Sequence, residues 1–311
     1  MKDVYAIAGM SKQALQQHTA RQIERLRYWA MLIAEVDTIR EDHPGCGVEK
    51  MYDILLPQGV GRDRFCDKLM ALGYRVVQHK NYLKTTRPSC YQYQNLIEGM
   101  LVTDQDQVWQ SDITYFKVGA DYFYLVFIVD VYTKQILGYR ASNHMRATAN
   151  HEALHMAIKA RKVIPQGLIH HSDRGSQYGE KQYVALLQQY EIQISMGKKA
   201  TENAYAERIN GIIKNEYLRY WEIKDLRTLK IKIKKAVDHY NSNRPHQNLS
   251  KSTPDHFAEK LRTWSCQKRP MVIVYAEGNQ KIKAALTCFN LTQEKTLRAQ
   301  VCPIEVRVNS Q

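Results

Sequence analysis

The sequence predicts an α/β protein in which a central mixed sheet is preceded and followed by basic helical regions. Residues 108–141 contain three strand-like patterns in succession, and residues 147–195 alternate between helix-like and strand-like patterns. Helix-like patterns also occupy most of the chain before residue 95 and much of it after residue 203. Strands that meander and then alternate with helices are typical of a mixed sheet covered by helices.

The first region, residues 1–95, is predicted to be helical and basic. Ser11 is a suitable N-cap for a helix over residues 13–37. Apolar residues keep helical spacing on both sides of a Gly-containing break at residues 57–61. Two short helices around such a turn are a candidate helix-turn-helix, although a helical hairpin that never touches DNA fits the same pattern. Residues 74–88 then form a basic connector, which either follows a phosphate backbone or is simply solvated.

The second region, residues 100–260, contains the predicted sheet. Alternation of apolar and polar residues predicts the first strand, a near-continuous apolar run predicts a buried second strand, and a turn at Thr133-Lys134 leads into the third. Two helices then alternate with two short strands. The predicted strands are 108–118, 122–132, 135–141, 168–171 and 192–195, and the two helices are 147–162 and 180–190.

The chain after Gly197 is predicted to be helical again. Two helices rich in Lys and Arg cover residues 203–220 and 225–240, and Pro245 and Pro254 close the region. The third region, residues 261–311, is a basic tail in which 272–275 and 301–308 are short candidate strands.

The charge of the chain favours a polyanionic partner. Its 311 residues carry 45 Lys and Arg against 31 Asp and Glu, which gives a net charge of +14. Such a balance attracts nucleic acid through phosphate contacts, although ribosomal, membrane-surface and heparin-binding proteins share it. The six cysteines include no Cys-x-x-Cys pair, so neither a zinc ribbon nor a disulfide framework is indicated. With no signal peptide or membrane-spanning stretch, the expected location is cytoplasmic, in association with the nucleoid.

Three acids stand out as candidate metal ligands. Asp112 lies in the first strand, on the face it shares with Gln110 and Thr114, and Asp173 directly follows another strand. Glu207 lies on a predicted helix, where Asn210, Gly211 and Lys214 extend the same polar stripe. Ligand sites of α/β sheets concentrate at strand ends, so the two aspartates can point into one crevice and the helix can press its stripe against it.

Three converging carboxylates in a basic chain are suited to divalent cations. Two such ions can activate an attacking oxygen and stabilise the leaving oxygen of a phosphodiester displacement, so no nucleophile on the protein is required. Taken singly, each acid is more often a solvated charge or a helix cap. The main rival is Asp130, which ends a buried strand and is interpreted as a turn-former that could also support the site; Asp104 and Asp106 are interpreted as solvated.

The surroundings of these acids resemble the insertion-sequence-three family of bacterial transposases, whose catalytic part resembles a retroviral integrase core with a ribonuclease-H-like fold. The match is strong over about residues 100–257. It rests on V-W-Q-S-D-I-T-Y at 108–115, H-S-D-R-G-S-Q-Y at 171–178, I-S-M at 194–196, E-N-A-Y-A-E-R-I-N-G-I-I-K-N-E at 202–216, Tyr240-Asn241, Arg244-Pro245-His246, Leu249 and Thr253-Pro254. One departure is that residues 174–206, between the second Asp and the Glu, are slightly fewer than in many relatives.

The resemblance implies a function and a set of catalytic groups. Asp112, Asp173 and Glu207 would be the catalytic and metal-binding acids of a DDE transposase, with two Mg²⁺ ions that Mn²⁺ could replace. The reaction would be cleavage of double-stranded DNA at an element end, followed by attack of the freed 3′ hydroxyl on a target. The chain would correspond to the second-frame product, would form a homo-oligomer on DNA, and could require fusion with an upstream-frame product.

Basic residues near these motifs are the expected DNA contacts. Lys214 shares the stripe of Glu207, Arg208 follows Glu207, and Arg174 follows Asp173. The candidate helix-turn-helix adds Arg62, Arg64 and Lys68. These three and Lys214 could instead lie on a solvated face, and Arg174 could instead support the second acid by hydrogen bonds or shape its loop. Two other functions stay open: a DNA-binding regulator without catalysis, and a ribonuclease-H-like nuclease that hydrolyses without strand transfer.

Overall fold

A computed structural model of the chain describes residues 11–76, 93–198 and 200–274. Most of the predicted connector and the predicted strand 301–308 lie outside these residues. The chain divides into two compact units. Within the described parts, the first unit contains residues 11–76 and 215–222, and the second contains the remainder. No helix of the described residues is long and apolar enough to cross a membrane.

The first unit contains the three helices expected near the N-terminus. They are α1 (Lys12–Asp42), α2 (Val48–Leu55) and α3 (Arg62–Ala71). The Ser11 hydroxyl accepts a hydrogen bond from the Ala14 N–H at 3.1 Å, which confirms the predicted N-cap. The helix that Ser11 caps continues five residues beyond its predicted end.

A small apolar core joins the three helices of the first unit. The second half of α1, together with α2 and α3, contributes the buried residues Leu32, Val36, Met51, Phe65 and Leu69, and Cys46 between α1 and α2 is buried with them. Residues 215–222 complete this unit, and the Gly45 N–H donates to the Glu216 carbonyl at 2.8 Å. The Glu216 carboxylate lies 2.7 Å from the His43 ring nitrogen and 2.8 Å from Lys50 Nζ.

The second unit is built on a five-stranded mixed sheet. The strands of this unit are β1 (Leu101–Val102), β2 (Val108–Val118), β3 (Asp121–Asp130), β4 (Ile136–Ser142), β5 (Ile169–Ser172), β6 (Gln193–Met196) and β7 (Val272–Ile273). Strands β1 and β7 form a separate two-stranded pairing that joins Leu101 to Ile273, which confirms a strand at the start of 272–275.

The order of strands in the large sheet is β4-β3-β2-β5-β6. The first three strands of the sequence pair antiparallel, whereas β5 and β6 run parallel to β2. The mixed sheet with helices on both faces is what the sequence pattern predicted, and its strand order is that of the ribonuclease-H-like fold, as the family resemblance implied.

Helices cover the two faces of the sheet. They are α4 (Ala147–Ala160), α5 (Lys181–Gln189), α6 (Ala204–Ile212), α7 (Leu226–Ser242) and α8 (Pro254–Leu261). Trp109 points into the core formed with α4 and α5, while its neighbour Val108 points into the core formed with α8. Gly138 allows α4 to approach β4 closely, because a Cβ at this position would lie 2.0 Å from the Ala153 carbonyl oxygen.

The predicted helix over residues 203–220 is not uniform. The α-helix α6 ends at Ile212 and continues as a π-helical turn over Ile213–Tyr217 and a 3₁₀ turn over Leu218–Tyr220. The π-helical turn therefore includes the boundary at which the second unit ends, at Lys214, and residues 215–222 of the first unit begin.

Two acids near the start of β2 correct the sequence interpretation. Asp106 is buried, accepts from the Trp109 indole N–H at 2.9 Å and pairs with Arg161 at 2.8 Å, so the expectation of a solvated side chain was wrong. Asp104 is likewise paired, with Arg269. Asp130 accepts hydrogen bonds from both the N–H and the hydroxyl of Thr133, which confirms it as a turn-former.

Candidate functional site

Two neighbouring parallel strands carry the two candidate aspartates. The parallel pairing of β2 with β5 runs as far as Ser111 opposite Ser172. Asp112, within β2, and Asp173, directly after β5, are the next residues along this register, so they lie side by side where strand axes are about 4.8 Å apart. The Asp173 carboxylate also accepts the Gly175 N–H at 3.0 Å, which fixes the loop that follows β5.

Helix α6 lies across the same face of β2. Asn210 Nδ2 donates to the Asp112 carboxylate at 2.7 Å, and Lys214 Nζ donates to the Thr114 hydroxyl at 2.6 Å. These contacts confirm that the polar stripe of this helix faces the crevice. Glu207 lies on the first turn of α6 and is exposed.

The three acids influence one another electrostatically. Burial, followed by the negative charges of Asp173 and Glu207, raises the pKa of Asp112 to about 7, and this value includes a smaller lowering by hydrogen bonds that include the one from Asn210. Burial also raises the pKa of Asp173, and burial together with the charge of Asp173 raises that of Glu207. Burial, together with like charge at Asp112 and Glu207, therefore favours the protonated form of these carboxyl groups.

The three acids make no ion pair within the described part of the chain. None of its salt bridges includes Asp112, Asp173 or Glu207. Nor do the described residues contain three His, Cys, Asp or Glu side chains arranged closely enough to hold a metal ion. The acids are therefore close enough to perturb one another but do not form a closed set of ligands. Oxygen ligands of this kind fit a hard divalent cation, which would offset their repulsion.

Several buried polar atoms around the acids have no hydrogen-bond partner. His171 uses Nδ1 to contact the Ser195 hydroxyl at 2.8 Å, but its Nε2 has no partner. The same holds for Arg174 Nε and for Asn210 Oδ1. Native proteins rarely leave such groups unsatisfied except at functional sites or where water binds.

Comparison with known proteins identifies the family. The Integrase core domain family matches residues 103–201, and a second family of the same description matches residues 188–254. The 31 kDa protein of insertion element IS600 from Shigella sonnei is 33% identical over 222 residues, which cover 69% of this chain and 81% of that protein. The transposase for insertion sequence element IS629, also from Shigella sonnei, is 31% identical over 226 residues, which cover 71% of this chain and 75% of that transposase.

A third relative connects the chain to a named family. Transposase InsF for insertion sequence IS3A from Escherichia coli strain K12 is 28% identical over 171 residues, which cover 54% of this chain and 59% of that protein. The chain belongs to the insertion-sequence-three family of transposases. This transposase is accordingly an enzyme that processes nucleic acid.

A solved structure of a viral integrase is also similar to the transposase. The catalytic core domain of the HTLV-2 integrase, in complex with magnesium, is 21% identical with a TM-score of 0.39, covering 53% of this chain and 99% of that domain.

The predicted DNA-contact residues of the transposase lie in two places. Arg62, Arg64 and Lys68 are exposed on α3 in the first unit, and Arg62 pairs with the neighbouring Asp63 at 3.2 Å. Arg208 is exposed on α6 beside Glu207 in the second unit. Lys214 and Arg174 also belong to the second unit, near the acids. Contact of these six residues with DNA stays a prediction.

Sequence reasoning missed one polar contact of the site. Gln110 was placed on the face of Asp112, but its buried amide was not assigned a partner; in the structure it binds the backbone at the start of α6. The available signal was its position, two residues before Asp112 on the same face of the strand.

Proposed function

We propose that this transposase cuts DNA at the ends of its insertion sequence and joins the freed 3′ hydroxyl to a target, using divalent cations held by Asp112, Asp173 and Glu207. The observation that carries the proposal is geometric: Asp112 and Asp173 follow the last paired residues of two adjacent parallel strands, and α6, which carries Glu207, contacts Asp112 through Asn210. The negative charges of Asp173 and Glu207 help to raise the pKa of Asp112. A bound cation stabilises the ionised form of carboxyl groups whose pKa is raised by burial and by one another's charge.

Each acid would have a definite part in the site. Asp112 lies within β2, Asp173 directly follows the adjacent parallel strand β5, and the two are held by Asn210 and by the Gly175 N–H, so they form the rigid side of the site. Glu207 is exposed, and rotation about its side-chain bonds can complete the ligand set. Bound Mg²⁺, or Mn²⁺ in its place, would activate the attacking oxygen and stabilise the leaving oxygen of the phosphodiester.

Basic residues of the chain would hold the DNA. Lys214 donates a hydrogen bond to Thr114, which lies two residues beyond Asp112 on the same face of β2. This contact would hold the Lys214 ammonium within reach of a phosphate at the site. Arg174 and Arg208 flank the other two acids in sequence, and the net charge of +14 favours a polyanion in general. Double-stranded element ends and target DNA are the proposed partners. Two ends must be joined in one reaction, which favours a homo-oligomer on DNA.

The test is a strand-transfer reaction with labelled DNA. The substrate carries the terminal repeats that flank this reading frame, and the reaction contains Mg²⁺ and an unlabelled target plasmid. Joined products support the proposal, hydrolysis alone supports a nuclease, and binding without either supports a regulator. Asp173→Asn is expected to abolish joining with little change in DNA affinity. Asp121→Asn, which alters an exposed acid at the start of β3, is the matched control and should join normally.

A further inference from the structure

The start of α6 has no side-chain cap from its own N-cap residue. The N-cap residue Asn203 makes no side-chain hydrogen bond to the first turn; its Nδ2 instead donates to the Ser111 carbonyl at 2.8 Å. The first N–H groups of a helix have no partner within the helix, and burying them without an acceptor is costly. Ala206 in this turn is fully buried, so water is not a substitute.

The side chain of Gln110 supplies the missing acceptor from the neighbouring strand. Its Oε1 accepts from the N–H of Tyr205 at 3.1 Å and of Ala206 at 3.4 Å. Its Nε2 donates to the carbonyl of Glu202 at 3.3 Å. Because a backbone N–H can only donate and a carbonyl can only accept, these partners fix the orientation of the amide. Gln110 is itself fully buried, so the three bonds are shielded from competing water.

The position of this cap links it to the acids. Gln110 and Asp112 stand two residues apart on one face of β2, and Glu207 is the residue after the second capped N–H. The strand that carries one acid therefore also holds the helix turn that carries another. We propose that Gln110 is a positioning residue, which caps α6 from β2 and thereby fixes Glu207 relative to Asp112 and Asp173. This proposal rests on the proposed function, in which Glu207 is the third acid of the site.

The proposal makes Gln110 distinct from an ordinary buried polar residue. Loss of the cap would loosen the first turn of α6 while the sheet stays intact, so catalysis should suffer more than DNA binding. Displacement of a catalytic group by about 1 Å can cost about 100-fold in rate. Ser111 provides the comparison, since its hydroxyl makes a buried hydrogen bond to Tyr178 at 3.0 Å on the opposite face of β2.

The experiment compares Gln110→Met with Ser111→Ala by hydrogen exchange and by strand-transfer kinetics. Gln110→Met keeps the length of the side chain but has no amide. Exchange of the Tyr205 and Ala206 amides should accelerate by about tenfold or more, since each loses its acceptor. Strand transfer should show kcat lowered by about 100-fold and KM for DNA changed by less than about twofold. Ser111→Ala should leave both the exchange of these amides and kcat close to wild type.

Two results would overturn the positioning role. One is wild-type exchange of the Tyr205 and Ala206 amides in Gln110→Met, and the other is accelerated exchange with unchanged kcat. If Gln110→Met does not fold, Gln110→Glu retains the acceptor oxygens and should keep these amides slow; fast exchange in that variant would reject the capping contact. A wild-type protein that joins no DNA ends would instead reject the proposed function, while the exchange data would still decide whether Gln110 caps the helix.

Discussion

Replacement of Asp112 by Asn should stabilise the metal-free protein. The pKa of Asp112 rises from 3.8 to about 7 because the carboxylate is buried beside Asp173 and Glu207. A shift of about 3 units at about 1.4 kcal/mol per unit corresponds to about 4 kcal/mol of unfavourable free energy in the ionised folded state. Asn has the same shape, carries no charge, and keeps an oxygen that accepts from Asn210.

The gain in stability should depend on pH in a defined direction. The folded protein binds the Asp112 proton more tightly than the unfolded chain, so wild-type stability falls as pH rises between 3.8 and about 7. Below that window both states are protonated and the penalty is absent; above it the penalty is complete. Asp112→Asn should therefore exceed wild type by about 4 kcal/mol near pH 8 and by almost nothing near pH 4.

Native-state hydrogen exchange of the β2 amides, in EDTA with increasing urea, measures this difference within the second unit. A divalent cation should stabilise the wild type more than Asp112→Asn, because the folded wild type binds the cation more tightly. The difference in the free energy of unfolding between the two proteins should therefore become smaller. The control Asp121→Asn, an exposed acid, should change stability by less than about 0.5 kcal/mol. The reasoning fails if Asp112→Asn in EDTA near pH 8 is no more stable than the wild type.

Three further predictions concern other parts of the chain. Lys214→Ala should weaken binding of element-end DNA and lower the salt dependence of binding by about one phosphate contact, measured by fluorescence anisotropy; an unchanged salt slope would remove Lys214 from the interface. Gly138→Ala should lower the free energy of unfolding by about 1–3 kcal/mol in urea titrations, because its Cβ would collide with the Ala153 carbonyl, and unchanged stability would contradict this close packing. The double variant Arg64→Ala/Lys68→Ala should lose DNA affinity with no change in melting temperature, whereas wild-type affinity would reject a DNA-contact role for α3.

The sequence was sufficient to predict the main elements of the sheet and the face on which Asp112 lies. Strand β2 has the predicted bounds, and the other strands of the sheet begin and end within one or two residues of theirs. Period-two alternation and turn chemistry are local properties, so they can be read without knowledge of the rest of the fold. The convergence of α6 on Asp112 followed from helical periodicity in the same way.

Features that depend on distant residues could not be predicted. Asp106 looks solvated in its polar segment, yet it is buried and pairs with Arg161, at the C-terminal end of α4 and 55 residues away in the sequence. The π-helical turn at Ile213–Tyr217 has no signature in the apolar spacing, and the Gly45 N–H that binds Glu216 is far away in the sequence. The cap that Gln110 provides is also a tertiary contact, because Tyr205 and Ala206 follow Gln110 by 95 and 96 positions in the sequence. Tertiary interactions of this kind override local propensity.

Binding of Mn²⁺ in the presence of element-end DNA tests most directly whether the three acids form one cation site. Electron paramagnetic resonance of the wild type and of Asp112→Asn, Asp173→Asn and Glu207→Gln reports bound and free ion separately. The account predicts that each of the three variants loses Mn²⁺ affinity, because each removes a charged ligand from the same site. Mn²⁺ affinity equal to that of the wild type in any of the three variants would contradict it.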